Sequence, residues 1–428
     1  MIREDQIIRK ATIRLLPILM ASFVVAYLDR VNIGYAAPNM SHDLGLSTSS
    51  YGLAAGLFFL TYFLFEVPSN AALKRFGAGK WFARIMVTWG LASMATAFVW
   101  NETSLYAIRL LLGAAEAGLV PGVLFYLSGW FPESVRGRVL SYFLVSGSIA
   151  GTVGGLVSGY LLDLNGVFGL AGWQWLFLIE GFPALVLAVV MYLYLPDSPS
   201  EARWLTADEK RVLLGSIDAT REPSNDIPST VAALRTPRVW AFGLIYFGAL
   251  GINYTVGFFV PTIIKGMGMT NVQTGVLSAL PYLFGMVAQL GWARLSDFAG
   301  ERVWFAVAPL TLSATSLLAS VLVQDPALNI AAFTLAGLGV FAFVPVFWTL
   351  PSRLLSGAGA AGGIAAVNAF GNLSGFLTPT IMGHTKDWTG AYTFGLIVIS
   401  ALAFAGTGLI ASLRERKHIG SVAQADLR

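Results

Sequence analysis

Residues 13–36 read IRLLPILMASFVVAYLDRVNIGYA, an apolar run that carries the adjacent charges Asp29 and Arg30 in its second half. About 20 apolar residues in a helix are enough to cross the roughly 30 Å hydrocarbon core of a bilayer. Ionisable side chains are costly in lipid, and they usually face the interior of a helix bundle or an aqueous cavity. The run therefore predicts a membrane-spanning helix whose two charges face away from lipid.

Comparable apolar runs follow along the whole chain, most of them joined by short connections. Hydrophobic residues make up 56% of the 428 residues and charged residues only 12%, whereas a soluble domain carries roughly 25% charged residues. We predict an all-α polytopic membrane protein with twelve transmembrane helices. The predicted spans are residues 13–36, 51–73, 82–100, 104–128, 139–162, 174–195, 239–264, 273–295, 303–323, 328–350, 362–384 and 391–413.

A long polar stretch at residues 195–230 divides these spans six and six. The turns after the second and the eighth span, LKRFGAGK (73–80) and SDFAGER (296–302), resemble each other, which indicates a transporter built by duplication with its binding site between the halves. We expect three regions: an N-terminal six-helix half at 1–195, a cytoplasmic central loop at 196–238, and a C-terminal six-helix half with a cytoplasmic tail at 239–428.

The basic residues fall almost entirely on one side of the predicted membrane. If the N-terminus is cytoplasmic, all of the 27 Lys and Arg residues lie in cytoplasmic segments except Arg30, Arg109, Lys265 and Lys386. Cytoplasmic loops of membrane proteins carry such an excess, so we predict that both termini are cytoplasmic. The net charge of +4 follows from this bias and indicates no nucleic-acid partner.

The ionisable residues inside the predicted spans all lie in the first half: Asp29, Arg30, Glu66, Arg109, Glu116 and Glu180. Arg109 and Glu116 are seven residues apart, so they share one face of a helix, and we expect Asp29 to point toward that helix. The charges of Asp29, Arg30, Arg109 and Glu116 sum to zero, and protonation of a carboxylate would balance an entering anion. This pattern predicts proton-coupled transport of an organic anion; a buried network that only holds helices together is the alternative.

Enzyme chemistry has no support in the sequence. His42, His384 and His418 are scattered over loops and helix ends, and the chain has no cysteine, so neither a metal cluster nor a catalytic triad is indicated. We expect a protein that is not an enzyme and that uses no metal and no cofactor other than the proton as coupling ion.

Six stretches resemble the anion:cation symporter family of the major facilitator superfamily, which includes phthalate, tartrate and galactonate permeases. They are YLDRVNIGYA (27–36), FEVPSN (65–70), RLLLGAAEAGLVPG (109–122), YLSGWFPESVRGR (126–138), WLFLIEGFPA (175–184) and LPDSPSEARWLT (195–206). The resemblance covers nearly the whole chain. It implies a twelve-helix fold in two halves, import of a small organic anion by alternating access, a location in the bacterial inner membrane, and a monomer.

The resemblance also implies roles for individual residues. Asp29 and Glu116 match the proton-coupling carboxylates of the family. Matches to substrate-binding positions are Arg30, Arg109, Tyr27, Tyr62, Trp348 and Asn368. For Trp348, packing in the protein core is the alternative interpretation.

Two departures from the family pattern refine these expectations. Lys74 stands where the superfamily usually has an acidic residue in the turn after helix 2, so we expect cytoplasmic gating by Arg75, Asp297 and Arg302 to depend mainly on Asp297. Ser146 and Ser148 stand where sugar-acid relatives can carry a glutamine, which makes a polyhydroxylated substrate less favoured.

The leading hypothesis is a proton-coupled symporter for an aromatic or aliphatic carboxylate or a sugar acid. An organic anion exchanger or uniporter, in which the carboxylates are structural partners, is the second hypothesis. A membrane sensor that uses a transporter fold is the third.

Overall fold

The computed structural model describes residues 4–219, 235–354 and 360–425, and these ranges are built from helices joined by short turns. The first range contains α1 (Glu4–Leu44), α2 (Thr48–Phe76), α3 (Ala78–Ala95), α4 (Glu102–Glu116), α5 (Leu119–Ser128), α6 (Glu133–Leu162), α7 (Gly172–Tyr194) and α8 (Ala207–Ala219). The later ranges contain α9 (Pro237–Phe258), α10 (Val260–Gly266), α11 (Asn271–Ala299), α12 (Val303–Leu322), α13 (Pro326–Leu354), α14 (Ala360–Asn372), α15 (Ser374–Thr389) and α16 (Thr393–Ala425).

Ten segments within the described ranges are long and apolar enough to cross a membrane, with α4 and α5 counted together. The predicted spans at 82–100 and 362–384 are not among them. The 18-residue α3 carries Lys80 and Arg84 in its first two turns, which lowers its hydropathy. The chain turns at Leu373, so that α15 has only 16 residues, about 24 Å of helix. The fold is therefore an all-helical membrane fold, and the count of twelve spans stays a prediction.

The chain forms two compact units. The first comprises Met1–Asn39, Leu57–Gly154 and Leu161–Asn225, and the second comprises Met40–Gly56, Gly155–Tyr160 and Asp226–Arg428. The start of α2 and a short piece of α6 thus pack with the later helices. The division into halves at residues 195 and 239 stays a prediction.

In the first unit, α2 and α4 touch through their backbones. A Cβ atom at Gly113 would lie only 2.1 Å from the carbonyl oxygen of Phe58, so this position requires a residue without a side chain. Nearby, the hydroxyl of Thr61 donates a hydrogen bond to the carbonyl oxygen of Leu110 at 2.8 Å. These contacts place the ring of Phe58 beside α4 at the level of Arg109.

The helix α3 packs closely along α7 in the same unit. A Cβ atom at Gly90 would lie 2.9 Å from the Cβ of Ala184, and one at Gly181 would lie 3.1 Å from the hydroxyl oxygen of Ser93. Small residues at such crossings let helices approach in lipid, where packing replaces the hydrophobic effect as the attractive force. The α7 backbone therefore fixes the position of α3.

In the second unit, the start of α2 packs against α15. A Cβ atom at Gly52 would lie 2.2 Å from the carbonyl oxygen of Pro379. The carboxylate of Asp387 accepts hydrogen bonds from the backbone N–H groups of Thr48 (3.1 Å) and Ser49 (2.7 Å). Asp387 therefore satisfies two of the donors that the first turn of a helix leaves without an intrahelical partner.

The amphipathic helix α8 begins with a capping box formed by Thr206 and Glu209. The N–H of Thr206 donates to the carboxylate of Glu209 at 2.8 Å, and the N–H of Glu209 donates to the hydroxyl of Thr206 at 3.3 Å. Lys10 of α1 also donates to Glu209 at 2.8 Å, and this bond, together with the one from Thr206, holds the pKa of Glu209 below its usual value. The pair ties α8 to α1.

Candidate functional site

Glu116 is the last residue of α4, directly before a break in the helix. The backbone leaves the helical conformation at Ala117 and enters the left-handed region at Gly118, where φ is +88°. A Cβ atom at Gly118 would also lie 2.3 Å from the hydroxyl oxygen of Ser69. The break leaves the fully buried Glu116 at the negative end of the α4 dipole.

Arg30 of α1 pairs with Glu116 of α4. The guanidinium carbon of Arg30 also lies 5.4 Å from the ring centre of Phe58 and 5.2 Å from that of Tyr62, and the guanidinium carbon of Arg109 lies 5.2 Å from the ring centre of Phe58. Cations at this distance from an aromatic face are attracted by its negative charge distribution. The structure thus brings three predicted residues, Arg30, Arg109 and Tyr62, to the buried ring of Phe58, and Glu116 joins them through its pair with Arg30.

The sequence led us to expect that Asp29 points toward α4, and the structure shows that it does not. Its carboxylate accepts hydrogen bonds from the indole nitrogen of Trp89 and the hydroxyl of Ser93, both on α3. The side-chain amide of Asn32 donates a third hydrogen bond at 2.9 Å. Successive residues of a helix point about 100° apart, and Arg30 takes the direction of α4, so Asp29 is turned to α3 instead.

Tyr27 lies one turn before Arg30 and is buried against α6. Its ring packs edge-on to Phe23 at 6.2 Å, and Phe23 stacks on Phe143 of α6 at 4.9 Å. A Cβ atom at Gly147 of α6 would lie 3.8 Å from the Tyr27 ring. Tyr27 thus has a well-defined packing environment at the α1–α6 contact.

The predicted residues of the later helices belong to the second unit. Trp348 of α13 is half-buried and packs against Tyr246 at 5.0 Å and Phe347 at 5.3 Å, while Tyr246 and Phe347 stack on each other at 5.2 Å. Asn368 is half-buried on α14. The aromatic cluster is compatible with substrate contact and with the packing interpretation of Trp348.

The predicted gating residues lie at the ends of α2 and α11. Arg75 is exposed, with its guanidinium carbon 5.4 Å from the ring centre of Phe76. Asp297 forms an ion pair with Arg302, which also donates to the hydroxyl of Ser296 at 2.9 Å. The pair spans the turn in which Gly300 adopts a φ of +64°, and its role in gating stays a prediction.

Sequence reasoning assigned no role to Trp89 or Ser93, although both touch Asp29. The two residues are four apart on a helix without a charge near its middle, so the sequence carried no signal that they meet a carboxylate. Asn32, three residues after Asp29 on one helix, could have been found from its spacing.

Helices long and apolar enough to cross a membrane many times, with ion-paired side chains buried among them, define a multi-pass membrane transporter. The family model of the Major Facilitator Superfamily matches residues 19–379, and the chain belongs to this superfamily of transporters. The predicted family resemblance and the expectation that the protein is not an enzyme are both confirmed.

Relatives and solved structures extend this result over nearly the whole chain. The chain is 43% identical over 400 residues to a putative tartrate transporter of Agrobacterium vitis, covering 93% of this chain and 92% of that protein. It is 39% identical over 406 residues to a quinolone resistance transporter of Acinetobacter baumannii, covering 94% of each. The crystal structure of a D-xylose-proton symporter matches with a TM-score of 0.75 at 13% identity, covering 93% of this chain and 97% of that one, which shows a shared fold.

Proposed function

We propose that this protein is a proton-coupled symporter that imports a small organic anion across the bacterial inner membrane by alternating access. The observation that carries the proposal is the partly buried ion pair between Arg30 and the fully buried Glu116, at the break between α4 and α5. The relative named as a putative tartrate transporter supports a carboxylate as the substrate.

The proposal includes a membrane topology. Twelve spans arise when α3 and the interrupted pair α14 and α15 are added to the ten long apolar segments. The halves are residues 1–195 and 239–428, with the central loop at 196–238 and both termini in the cytoplasm. The protein acts as a monomer, with the proton as coupling ion and without a cofactor.

Coupling follows from competition for Arg30. A guanidinium can hold a carboxylate through two parallel hydrogen bonds, and Glu116 occupies Arg30 in the structure. When a proton neutralises Glu116, Arg30 is released for one carboxylate of the substrate, and the proton offsets the single negative charge that this carboxylate brings. Without the proton, the incoming anion would leave one buried negative charge without a partner, which is strongly unfavourable. Proton and anion therefore bind together.

The surroundings of Arg30 suit a substrate with two carboxylates. Arg109 supplies a second positive charge close to the same ring of Phe58. Asp29 acts in proton coupling beside Glu116. The other substrate contacts that we propose are Tyr27, Tyr62, Trp348 and Asn368, and Arg75, Asp297 and Arg302 act in cytoplasmic gating.

The test is uptake of tartrate into proteoliposomes with an imposed proton gradient. We expect an inward proton gradient to stimulate accumulation and a protonophore to abolish it. Glu116→Gln should retain exchange of tartrate at equal pH but lose gradient-driven accumulation, because it cannot release a proton. The matched control is Glu102→Gln, an exposed glutamate on the same helix. Wild-type uptake that is insensitive to the protonophore would refute proton coupling.

The same ion pair supports anion exchange as a second candidate function. A substrate carboxylate can replace Glu116 at Arg30 without any proton, provided that a second anion leaves the site in the return step. A pH-sensitive dye inside the liposomes reports proton movement during counterflow of tartrate. Counterflow without a change in internal pH would favour exchange over symport.

A further inference from the structure

Asp29 is a buried carboxylate of α1 that accepts hydrogen bonds from three donors. One carboxylate oxygen accepts from Ser93 and Asn32, and the other accepts from the indole of Trp89. Asp29, Trp89 and Ser93 are each at most 1% exposed. Buried polar groups are normally hydrogen-bonded, and the protein supplies three donors to this carboxylate.

The two α3 donors are held in place by the packing of α3 against α7. Gly90 lies between them in sequence, and its close approach to Ala184 of α7 leaves no room for α3 to retreat. On the same side, Gly181 of α7 lies close to the hydroxyl of Ser93. Trp89 is a rigid side chain with two rotatable bonds, and it is fully buried. Packing against α7 thus restricts the positions of both donors independently of their hydrogen bonds to Asp29.

We infer that Trp89 and Ser93 are positioning residues, which hold the Asp29 carboxylate against α3 and thereby set the pH at which proton-coupled uptake is half-maximal. The inference rests on the proposed function, because Asp29 acts there in proton coupling. By keeping Asp29 turned to α3, the two donors also leave Arg30 free to pair with Glu116.

The charged groups around Asp29 are few. Arg30 follows on α1 and is turned to α4, where it pairs with Glu116. Arg109 is the other charged side chain buried on α4, and α7, behind α3, carries the buried Glu180. On α3 itself, the nearest charged residue is Arg84, five positions before Trp89. Trp89, Ser93 and Asn32 are therefore the direct partners of Asp29.

Loss of one donor has a defined consequence for transport. A hydrogen bond to a charged group contributes about 1.5–3 kcal/mol, and about 1.4 kcal/mol corresponds to one pH unit. Trp89→Phe and Ser93→Ala should each move the pH midpoint of tartrate uptake upward by about one unit, because the anionic form of Asp29 loses a partner. Trp130→Phe is the matched control, since it also removes one indole N–H from a side chain that is 1% exposed.

The experiment measures two quantities on full-length protein in liposomes. The first is the pH profile of gradient-driven tartrate uptake. The second is the infrared absorption of the protonated Asp29 carboxyl, assigned by its loss in Asp29→Asn and followed from low to high pH. Thermal unfolding establishes that each variant is folded, and Ser93→Ala, which removes a single oxygen, carries the test if Trp89→Phe does not fold.

The outcomes separate the inference from the proposed function. Upward shifts of both quantities in the two α3 variants, with none in Trp130→Phe, support the positioning role. If wild-type uptake is not proton-driven but the infrared titration still shifts, the positioning role stands and the proposed symport fails. If both variants fold and titrate as the wild type does, the inference is overturned.

Discussion

The two units of the protein bury different kinds of polar side chain. In the first unit, the buried set includes the charged residues Asp29, Arg109, Glu116 and Glu180. In the second unit, the buried polar residues among those described are Ser, Thr and Asn, and Tyr246 anchors an aromatic cluster. The cost of placing ionisable groups in a membrane is thus concentrated in one unit.

This difference indicates a division of work. A buried ion pair is weak evidence for stability, because an apolar pair of the same volume is often as stable or more stable. The charges of the first unit are therefore better explained by function than by folding. The second unit, with aromatic rings and hydroxyls, is suited to shape and hydrogen bonding rather than to carrying protons.

The largest expected effect comes from breaking the Arg30–Glu116 pair on one side. Glu116→Leu leaves the charge of Arg30 buried without its carboxylate, which should cost about 3–5 kcal/mol of stability. The double variant Arg30→Met/Glu116→Leu should recover most of the stability lost in Glu116→Leu, but it should not recover transport. Thermal unfolding in detergent followed by tryptophan fluorescence measures the stability.

The matched change in the second unit is Tyr254→Phe, which removes the hydroxyl that donates to Asn372 at 3.3 Å. A neutral hydrogen bond contributes about 0.5–1.5 kcal/mol, so Tyr254→Phe should lose less stability than Glu116→Leu. Equal destabilisation by Tyr254→Phe and Glu116→Leu would remove the contrast between the units.

An intermediate effect is expected at Trp348, and it decides between the two interpretations of that residue. If Trp348 contacts substrate, Trp348→Ala should raise the KM for tartrate about tenfold, equivalent to about 1.4 kcal/mol, without moving the pH midpoint of uptake. Trp100→Ala, at a side chain that is 75% exposed, is the control. A lower unfolding temperature with an unchanged KM would instead identify Trp348 as a packing residue.

The smallest effect is expected at Asp387, the acidic cap of α2 in the second unit. Partial burial raises its pKa, but the hydrogen bonds from Ser49 and Thr48 outweigh this and lower the pKa below the usual value. A carboxyl whose pKa is lower in the folded state stabilises the protein above its unfolded pKa, about 3.9. This contribution is lost as the pH falls through the folded pKa.

Asp387→Ala should therefore lower the unfolding temperature by about one degree at pH 7, since a lost helix cap costs about 1 kcal/mol and the shift per kcal/mol falls as chain length rises. The gap between wild type and variant should begin to shrink below about pH 3.9, the usual pKa of Asp, and should close as the pH falls through the lower pKa of the folded protein. Thermal unfolding of both proteins from pH 7 to pH 3 provides the measurement. A gap that is the same at every pH would show that the charge of Asp387 does not stabilise the α2 terminus.

Local features of this protein were predictable from the sequence because neighbouring residues alone determine them. Runs of apolar residues predicted most of the long helices. The glycines and Pro121 around the break after Glu116 are typical of an interrupted helix, and the spacing of Thr206 and Glu209 is typical of a capping box. The prediction was weakest at α3 and α14–α15, where basic residues and a turn interrupt otherwise apolar runs.

By itself, the sequence determined the class of protein and the kinds of side chain available for its chemistry: two arginines and several carboxylates inside apolar helices. Only the tertiary structure decided which of these groups meet. Asp29 and Arg30 are adjacent in the chain, yet one is held by α3 and the other pairs with α4. The reason is geometric, because each step along a helix turns the side chain by about 100°, and the partner in each direction is set by helix packing across distant parts of the chain.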